Sequence, residues 1–331
     1  MIAFFDLEGP LCPIDHAAEA MALIGQKLEQ KVDFYQLFKM ISLYDDHLFL
    51  VEKKKDYWPG DTLKLIAPIV TSYLSEKELL TISREAALTP GAKELFDYLH
   101  KEDIPTYIIS TSYTHHAHTI AKKLAHPVEN VRCTTLDYTF QPSTGEAVLQ
   151  KLFDEIFPKY LDKGLKAIKK DLDKFFFQTI PNSSLGKIFA TTVVCGGLRK
   201  KTAVREILDQ HNLTTKKAIA IGDSITDIQM LTYIRENEGV AISFNGNKHS
   251  LEAATIAFSA HSISPLKKIF QHHPDSISYI KKLSPEKKHE LANQEIYYDI
   301  IDTSNPVEFQ QILTRQLRFR KKIRVKAADL T

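Results

Sequence analysis

The sequence predicts an α/β fold: a doubly wound, parallel, Rossmann-like sheet with a helical cap inserted after strand 1 and a second helical insertion. Short apolar runs that stop at Gly, Asp or Ser recur along the chain, as is typical of buried strands. Segments with apolar residues at three- and four-residue intervals lie between these runs and predict helices. Strands that alternate with helices favour a parallel sheet with helices on both faces.

The first strand is predicted at residues 2–5, an apolar run that stops at Asp6, Glu8, Gly9 and Pro10. A Gly-Pro pair marks a sharp turn. Two carboxylates therefore follow the carboxyl end of a buried strand, where ligands bind in open α/β sheets. Acids in this position can hold a cation, attack an electrophile or move a proton. The alternative is an acidic turn that only ends the strand.

Later apolar runs repeat this pattern. The second strand ends in the hydroxyl groups of Ser110, Thr111 and Ser112. Another strand ends at Asp223, and Asp227 follows it by four residues, about one helical turn. The predicted strands after the first are 105–112, 131–135, 218–222, 239–243 and, as an edge strand, 255–258.

The remaining segments define a domain organisation. We expect an α/β core at 1–12, 88–136 and 195–262, a helical cap at 13–87, a second helical insertion at 137–194 with a turn at 141–145, and a C-terminal helical extension with a basic tail at 263–331. Within the extension, 262–303 is helical in pattern and a further helix is predicted at 307–317. The basic tail comprises Arg315, Arg318, Arg320, Lys321, Lys322, Arg324 and Lys326, opposed by Asp329. We interpret this tail as a solvated, partly disordered end; contact with nucleic acid, anionic lipid or an acidic partner is the alternative.

Composition excludes several classes of protein. The chain has 331 residues, 44% hydrophobic and 25% charged, and a formal net charge of +2, which gives no general reason to expect nucleic acid or a membrane. Cys12, Cys133 and Cys195 are too few and too far apart to predict a disulfide framework or a metal site. No apolar run approaches the roughly 18 residues of a membrane span, and Asp6 and Glu8 do not fit a signal peptide. We therefore expect a cytoplasmic protein.

Three histidines, His115, His116 and His118, begin the helix that follows the second strand. No cysteine or carboxylate lies close to them in the sequence to complete a metal site. We interpret them as residues of a helix face or a cleft rim.

In their order along the chain, four motifs resemble those of the haloacid dehalogenase-like hydrolase superfamily, most of whose members are magnesium-dependent phosphatases. These motifs are residues 6–9, Ser110, Lys200 or Lys201 at the start of a helix, and Gly222-Asp223 with Asp227. Segments 88–92 and 239–245 are similar to the phosphoserine phosphatase branch of that superfamily. The resemblance covers roughly residues 1–12, 88–136 and 195–260.

The first motif has a second, local resemblance. Residues 6–11, with Asp15, Ala17 and Glu19 after them, look like the opening of archaeal proteins of this superfamily that are named as an energy-converting hydrogenase A subunit. This likeness covers about twenty residues.

The resemblance implies a Mg²⁺-dependent phosphomonoester hydrolase that acts on a small soluble phosphorylated metabolite. Asp6 is expected to attack phosphorus and form an aspartyl-phosphate, and Glu8 to protonate the leaving group and then activate water. Lys200, Ser110 and Thr111 are expected to bind the phosphoryl group, with Lys200 also neutralising charge beside Asp6. The expected ligands of Mg²⁺ are Asp6, the backbone carbonyl of Glu8 and Asp223, with Asp227 either as a further ligand or as a residue that supports the ligands from behind.

The chain departs from the family pattern at three places. Glu8 stands where most of these phosphatases have Asp, which puts full activity in question. The lysine is Lys200 or Lys201, and we favour Lys200 because apolar residues follow it four, seven and eight positions on. The cap has Arg84 as its only arginine and none in the segment that matches the substrate-binding one, which disfavours phosphoserine.

These departures leave a second class of function open. The alternative to an enzyme is a catalytically weak or inactive protein of this fold, acting as a subunit or binding partner in a complex. Its contacts with a protein partner would run through the inserted helices or the basic tail.

Overall fold

The computed structural model describes residues 1–28, 32–139 and 147–324. In this part of the chain, a single sheet has the strand order β3-β2-β1-β4-β5-β6-β7. All neighbouring strands are parallel except β6 and β7, which are antiparallel. The strands are β1 (Ile2–Phe5), β2 (Thr106–Tyr113), β3 (Val131–Thr134), β4 (Ala218–Gly222), β5 (Val240–Phe244), β6 (Ile256–Ser259) and β7 (Tyr297–Ile300). The predicted fold class, a doubly wound parallel sheet, is confirmed.

Helices flank the sheet on both faces and build the two insertions. In chain order they are α1 (His16–Leu28), α2 (Phe34–Asp46), α3 (Thr62–Tyr73), α4 (Glu76–Glu85), α5 (Ala92–Lys101), α6 (Thr114–Lys123), α7 (Ala147–Lys151), α8 (Phe157–Lys163), α9 (Leu165–Lys174), α10 (Gly186–Thr191), α11 (Leu198–Gln210), α12 (Ile228–Glu236), α13 (Lys248–Ala253), α14 (Lys267–Gln271), α15 (Ser276–Lys281), α16 (Pro285–Asn293) and α17 (Pro306–Arg324). Three π-helical turns adjoin α2, α7 and α9, at His47–Val51, Leu152–Ile156 and Phe175–Thr179. No helix in the described ranges is both long and apolar enough to cross a membrane.

Strand β1 lies between β2 and β4 and is buried along its whole length, which explains its unbroken apolar sequence. Phe4 pairs with Tyr107 of β2 and with Ala220 of β4, so the three strands run in register. The backbone N–H of Asp6 continues this pairing and donates to Ile221 O at 2.8 Å. The residues that follow β1 and β4 therefore lie side by side.

Strand β7 corrects two predictions. Residues 262–303 were expected to be helical, and β6 was expected to be an edge strand, yet Tyr297–Ile300 pairs with β6 and forms the edge. Four residues that include Asp299 make too short and too polar a run to stand out in the sequence. Tertiary contacts hold β7: the ring of Tyr298 stacks on Phe258 at 4.9 Å, and Asp299 pairs with Arg315 of α17 at 2.6 Å.

The two insertions share one hydrophobic core. Phe34 of the first insertion packs edge-to-face on Phe153 of the second, with ring centroids 5.1 Å apart. Tyr44 donates to Asp173 of α9 at 2.6 Å. The turn predicted at 141–145 lies outside the described residues. Because apolar faces from both insertions are buried against each other, we treat α1–α4 and α7–α10 as one cap.

The C-terminal helix corrects the interpretation of the basic tail. Helix α17 extends to Arg324, and the side chains of Arg320 and Arg324 are buried rather than solvated, with residue exposures of 2% and 8%. Both guanidinium groups bind Asp223, because a buried carboxylate stabilises a cation brought into a region from which water is excluded. Lys326 and Asp329 lie outside the described residues.

Candidate active site

Three carboxylates meet at the carboxyl ends of β1 and β4. Asp6, Asp223 and Asp227 are buried, and each offers an oxygen within 4.8 Å of those of the other two. Gly9 allows this approach: it has a φ of +100°, and a Cβ there would lie 2.5 Å from Asp223 Cγ. Among the described residues, these three aspartates are the metal-ligating side chains that lie close enough together to hold a metal ion.

Lys200, on the first turn of α11, is fully buried between two of these carboxylates. Its Nζ lies 2.7 Å from Asp6 Oδ1 and 2.7 Å from Asp227 Oδ1. Burial alone would lower its pKa, but Asp227 and Asp6 outweigh burial and raise it. The side chain of Lys201 instead lies over the Tyr233 ring at 5.2 Å. The structure thus brings Lys200, and not Lys201, to the site.

The pKa of Asp6 is raised to about 8, first by burial and next by the Asp227 carboxylate, while Lys200 acts in the opposite direction. A further positive charge within a few ångströms would favour the ionised carboxylate. The site therefore has more negative charge than Lys200 alone balances.

Asp227 has both oxygens occupied. Oδ1 accepts from Lys200, and Oδ2 accepts the backbone N–H groups of Asp223 and Ser224 at 3.0 and 3.1 Å. Gly222 makes room for it, since a Cβ there would lie 2.5 Å from Asp227 Cγ. These contacts make Asp227 the residue that orients both the lysine and the loop carrying Asp223.

Asp223 has one oxygen free for a ligand. Its Oδ2 accepts from Arg320 Nη1 and, at 3.0 Å, from Arg324 Nη1, while its Oδ1 is buried and has no hydrogen-bond partner among the described residues. A buried orphan carboxylate oxygen costs free energy unless a donor or a cation meets it. Carboxylate oxygens are the ligands that Mg²⁺ prefers, so the residues present fit this ion.

Glu8 lies beside the carboxylate group on the cap side. Its Oε1 accepts from the Ser112 hydroxyl and from His16 N at 3.1 Å. Burial, and then the charge of Asp15, raise the pKa of Glu8 to about 8. A carboxyl group with this pKa carries a proton at neutral pH, which is what a general acid requires.

The two predicted phosphate ligands on β2 differ in their contacts. Ser110 is fully buried, lines the site cavity, and its Oγ accepts from Ser112 N at 3.1 Å, which leaves its O–H as a donor. Thr111 Oγ1 donates to Cys195 O at 3.3 Å. Ser110 is therefore better arranged than Thr111 to donate a hydrogen bond to an anion.

These groups surround a cavity of about 70 Å³. Residues from both the core and the cap line it. Because the cavity is this small, it has room for only a few atoms in this conformation. Its lining includes Asp6, Glu8, Ser110 and Ser112 from the core, Phe38, Ser42 and Thr62 from the cap, and Arg324 from α17.

Sequence reasoning missed Ser112 as a partner of Glu8, and it missed both arginines of α17. A signal for the arginines was present: Ile312, Gln316 and Arg320 are spaced by four residues, as are Arg320 and Arg324, so one helical stripe carries them all. A predicted helix that continued past residue 317 would have carried both arginines on its buried face.

The histidines of α6 lie behind the site. His116 is fully buried and stacks on His16 with ring centroids 4.5 Å apart. His115 Nε2 lies 3.1 Å from Glu76 Oε1. These contacts are those of a packed helix face.

Solved structures with the same architecture exist. A gene product of Archaeoglobus fulgidus is 23% identical, with a TM-score of 0.82 over 99% of this chain and 98% of its own. A substrate-bound phosphoserine phosphatase is 14% identical, with a TM-score of 0.51 over 82% of this chain and 97% of its own. A hydrolase from Salmonella enterica serovar Typhi is also 14% identical, with a TM-score of 0.51 over 83% of this chain and 72% of its own. A search of curated protein sequences found no match.

The family relationship comes from sequence. Residues 72–270, more than half of the chain, match the haloacid dehalogenase-like hydrolase family. That match includes Ser110, Lys200, Asp223 and Asp227, and the fold agrees with it. The resemblance found in the four motifs is confirmed: this chain belongs to the haloacid dehalogenase-like hydrolase family.

Proposed function

We propose that this hydrolase is a Mg²⁺-dependent phosphatase that cleaves small phosphomonoesters through an aspartyl-phosphate on Asp6. The observation that carries the proposal is the position of Lys200, 2.7 Å from both Asp6 and Asp227, beside a third carboxylate, that of Asp223. Within the described ranges, one oxygen of Asp223 has no hydrogen-bond partner. Phosphoryl transfer needs an aligned nucleophile and concentrated positive charge around the phosphoryl oxygens, and little other chemistry.

Mg²⁺ would be held by Asp6, by Asp223 through Oδ1, and by the backbone carbonyl of Glu8. When bound, the ion supplies charge neutralisation for the phosphoryl oxygens and favours the ionised form of Asp6. Asp227 contributes by fixing Lys200 and the Asp223 loop rather than by a free oxygen.

In the first step, Asp6 attacks phosphorus and the bond from phosphorus to the ester oxygen breaks. Ser110 donates to the phosphoryl oxygens, and Lys200 balances their charge. Glu8 gives its proton to the departing oxygen. In the second step, Glu8 takes a proton from water as the water attacks phosphorus, which releases phosphate and restores Asp6.

The descriptions of two structural neighbours are consistent with phosphatase chemistry of this type. One is described as substrate-bound phosphoserine phosphatase and another as a phospho-aspartyl intermediate analogue of phosphoserine phosphatase. At 14% identity they support the fold and not the substrate.

The test is release of p-nitrophenol from p-nitrophenyl phosphate with Mg²⁺ and with EDTA. We expect turnover only with Mg²⁺, and none from Asp6→Asn, which keeps the shape of the side chain but removes the attacking charge. Asp209→Asn, an exposed carboxylate on the same helix as Lys200, is the matched control and should keep wild-type activity. Wild-type turnover by Asp6→Asn would contradict the mechanism, and no turnover by any form, on this or an alkyl phosphate, would favour a non-catalytic role in a complex.

A further inference from the structure

Arg324 brings a positive charge into the candidate active site from the C-terminal helix. The residue is 8% exposed and lines the cavity together with Glu8, Ser42 and Ser112. Of the lysines and arginines in the described ranges, it is the one that lines this cavity. Lys200 is at the site too, but it is held between Asp6 and Asp227 and is not among the residues that line the cavity.

The guanidinium of Arg324 has binding capacity left over. Its Nη1 donates to Asp223 Oδ2 at 3.0 Å, and that same oxygen also accepts from Arg320 Nη1. Two cations therefore share one carboxylate oxygen. In addition, Arg324 Nε is buried and has no hydrogen-bond partner within the part of the chain that the structure describes. A buried donor of this kind is unfavourable unless an acceptor meets it.

The cavity geometry suggests which part of a substrate Arg324 faces. In-line transfer places the nucleophile and the leaving oxygen on opposite sides of phosphorus. Glu8, as the acid, must reach the leaving oxygen, and Arg324 lines the same small cavity as Glu8. Among the charges that raise the pKa of Arg324, Glu8 comes directly after Asp223 and ahead of Asp6, so Arg324 lies on the Glu8 side of the cavity. Cap residues Phe38 and Ser42 close that side. Arg324 thus lies next to the leaving group, whereas Ser110 and Lys200 serve the phosphoryl group.

The geometry points to Arg324 as a specificity-determining residue that binds a second anionic group on the leaving-group portion of the substrate. This inference rests on the proposed phosphatase function and deepens it: the substrate class is a small phosphomonoester that also carries a carboxylate or a second phosphoryl group. Guanidinium matches both groups, because its planar N–H donors can meet two oxygens at once.

The test compares small phosphomonoesters with and without a second anionic group. Ethyl phosphate and 2-phosphoglycolate differ by a methyl group against a carboxylate, and ethylene glycol bisphosphate supplies a second phosphoryl group instead. We expect wild-type kcat/KM to be about tenfold to a hundredfold higher for at least one of the two esters with a second anionic group than for ethyl phosphate, because hydrogen bonds to charged groups are the stronger ones. Whichever ester is preferred identifies the anionic group.

Arg324→Gln should remove this preference, so that its kcat/KM values for the three esters converge, and Arg324→Lys should restore part of it. The matched control is Arg318→Gln on the same helix, whose side chain is 51% exposed and which should keep the full preference. If Arg324→Gln does not fold, as judged by circular dichroism, the Arg324→Lys variant and the wild-type substrate comparison decide the question.

Measurable hydrolysis of all three esters by the wild type with equal kcat/KM would overturn the inference. So would an equal loss on all of them in Arg324→Gln, which would mean that Arg324 acts on the phosphoryl group or through Asp223. Calorimetric binding of the same esters to Asp6→Asn separates this inference from the proposed function. Suppose that an ester with a second anionic group binds more tightly than ethyl phosphate, that this difference depends on Arg324, and that the wild type hydrolyses none of the esters. That result would sustain the inference and contradict the proposed phosphatase function, whereas equal binding of the esters would overturn the inference itself.

Discussion

Replacing Asp223 with asparagine should destabilise the protein, although removing one of several crowded carboxylates would ordinarily relieve repulsion. The side chain of Asp223 is 1% exposed, and those of Arg320 and Arg324 are 2% and 6% exposed. Asp223→Asn keeps the volume but removes the carboxylate that both buried guanidinium groups contact. Removal of one partner from a buried ion pair costs about 3–5 kcal/mol.

The assay is thermal unfolding followed by far-UV circular dichroism in EDTA, so that metal binding does not contribute to stability. At about 2.1 cal/mol/K of unfolding entropy per residue, a chain of 331 residues loses roughly 1.4 °C of Tm per kcal/mol, so we expect the Tm to fall by about 4–7 °C. Asp6→Asn is the comparison: it also removes a buried site carboxylate, but Lys200 keeps its contact with Asp227, so the change should be much smaller.

A double-mutant cycle locates the effect. If Asp223 stabilises the protein through Arg320, then Asp223→Asn combined with Arg320→Gln should cost less than the sum of the two single changes, by about 0.5–3 kcal/mol. Additive losses, or a Tm for Asp223→Asn equal to that of the wild type, would refute the reasoning that this contact holds α17 on the core.

Glu8→Gln should slow hydrolysis of an alkyl phosphate by a factor of roughly 10²–10⁴. It should slow hydrolysis of an activated aryl phosphate less, because the aryl leaving group needs no proton. Glu8→Asp should keep partial activity, and equal rates of wild type and Glu8→Gln on the alkyl phosphate would contradict the acid/base role. Lys200→Met should abolish phosphate release, whereas Lys201→Met should not, and the reverse pattern would show that the lysine was misassigned. Burial lowers the pKa of His116 well below its ordinary value, so the unfolded chain binds a proton that the folded chain excludes. Its contribution to stability is therefore complete above about pH 6.5 and is lost as the pH falls below that value, by up to about 1.4 kcal/mol per pH unit. Denaturant titrations from pH 7.5 to 5 should show a smaller loss for His116→Leu than for wild type, and identical losses would be evidence against this account.

Much of the core could be predicted because its signals are local. Apolar runs such as 2–5 and 218–222 are buried on both faces, and acids follow them directly, so both the strands and the meeting of Asp6 with Asp223 can be inferred from order along the chain. The choice of Lys200 over Lys201 also followed from helical spacing, because one face of α11 packs on the sheet.

The features that escaped prediction depend on contacts between distant residues. Arg320 lies 97 residues from Asp223, and a run of arginines and lysines has the same composition whether it is solvated or partly buried. Strand β7 forms by pairing with the outer edge of β6. The four residues of β7 do not by themselves indicate that this pairing will occur. The single cap likewise arises from packing between two insertions that are separated by β2 and β3 along the chain.

The most direct test of the central claim is to trap the covalent intermediate. Wild-type protein is mixed with substrate and Mg²⁺, quenched with borohydride, digested, and examined by mass spectrometry of the peptide that contains residues 1–12. Borohydride reduces an acyl phosphate to an alcohol, so the account predicts homoserine in place of Asp6, only when substrate is present, and never in Asp6→Asn. Steady hydrolysis of the substrate with Asp6 unmodified, or the reduced residue found at Glu8 or Asp223 instead, would contradict it.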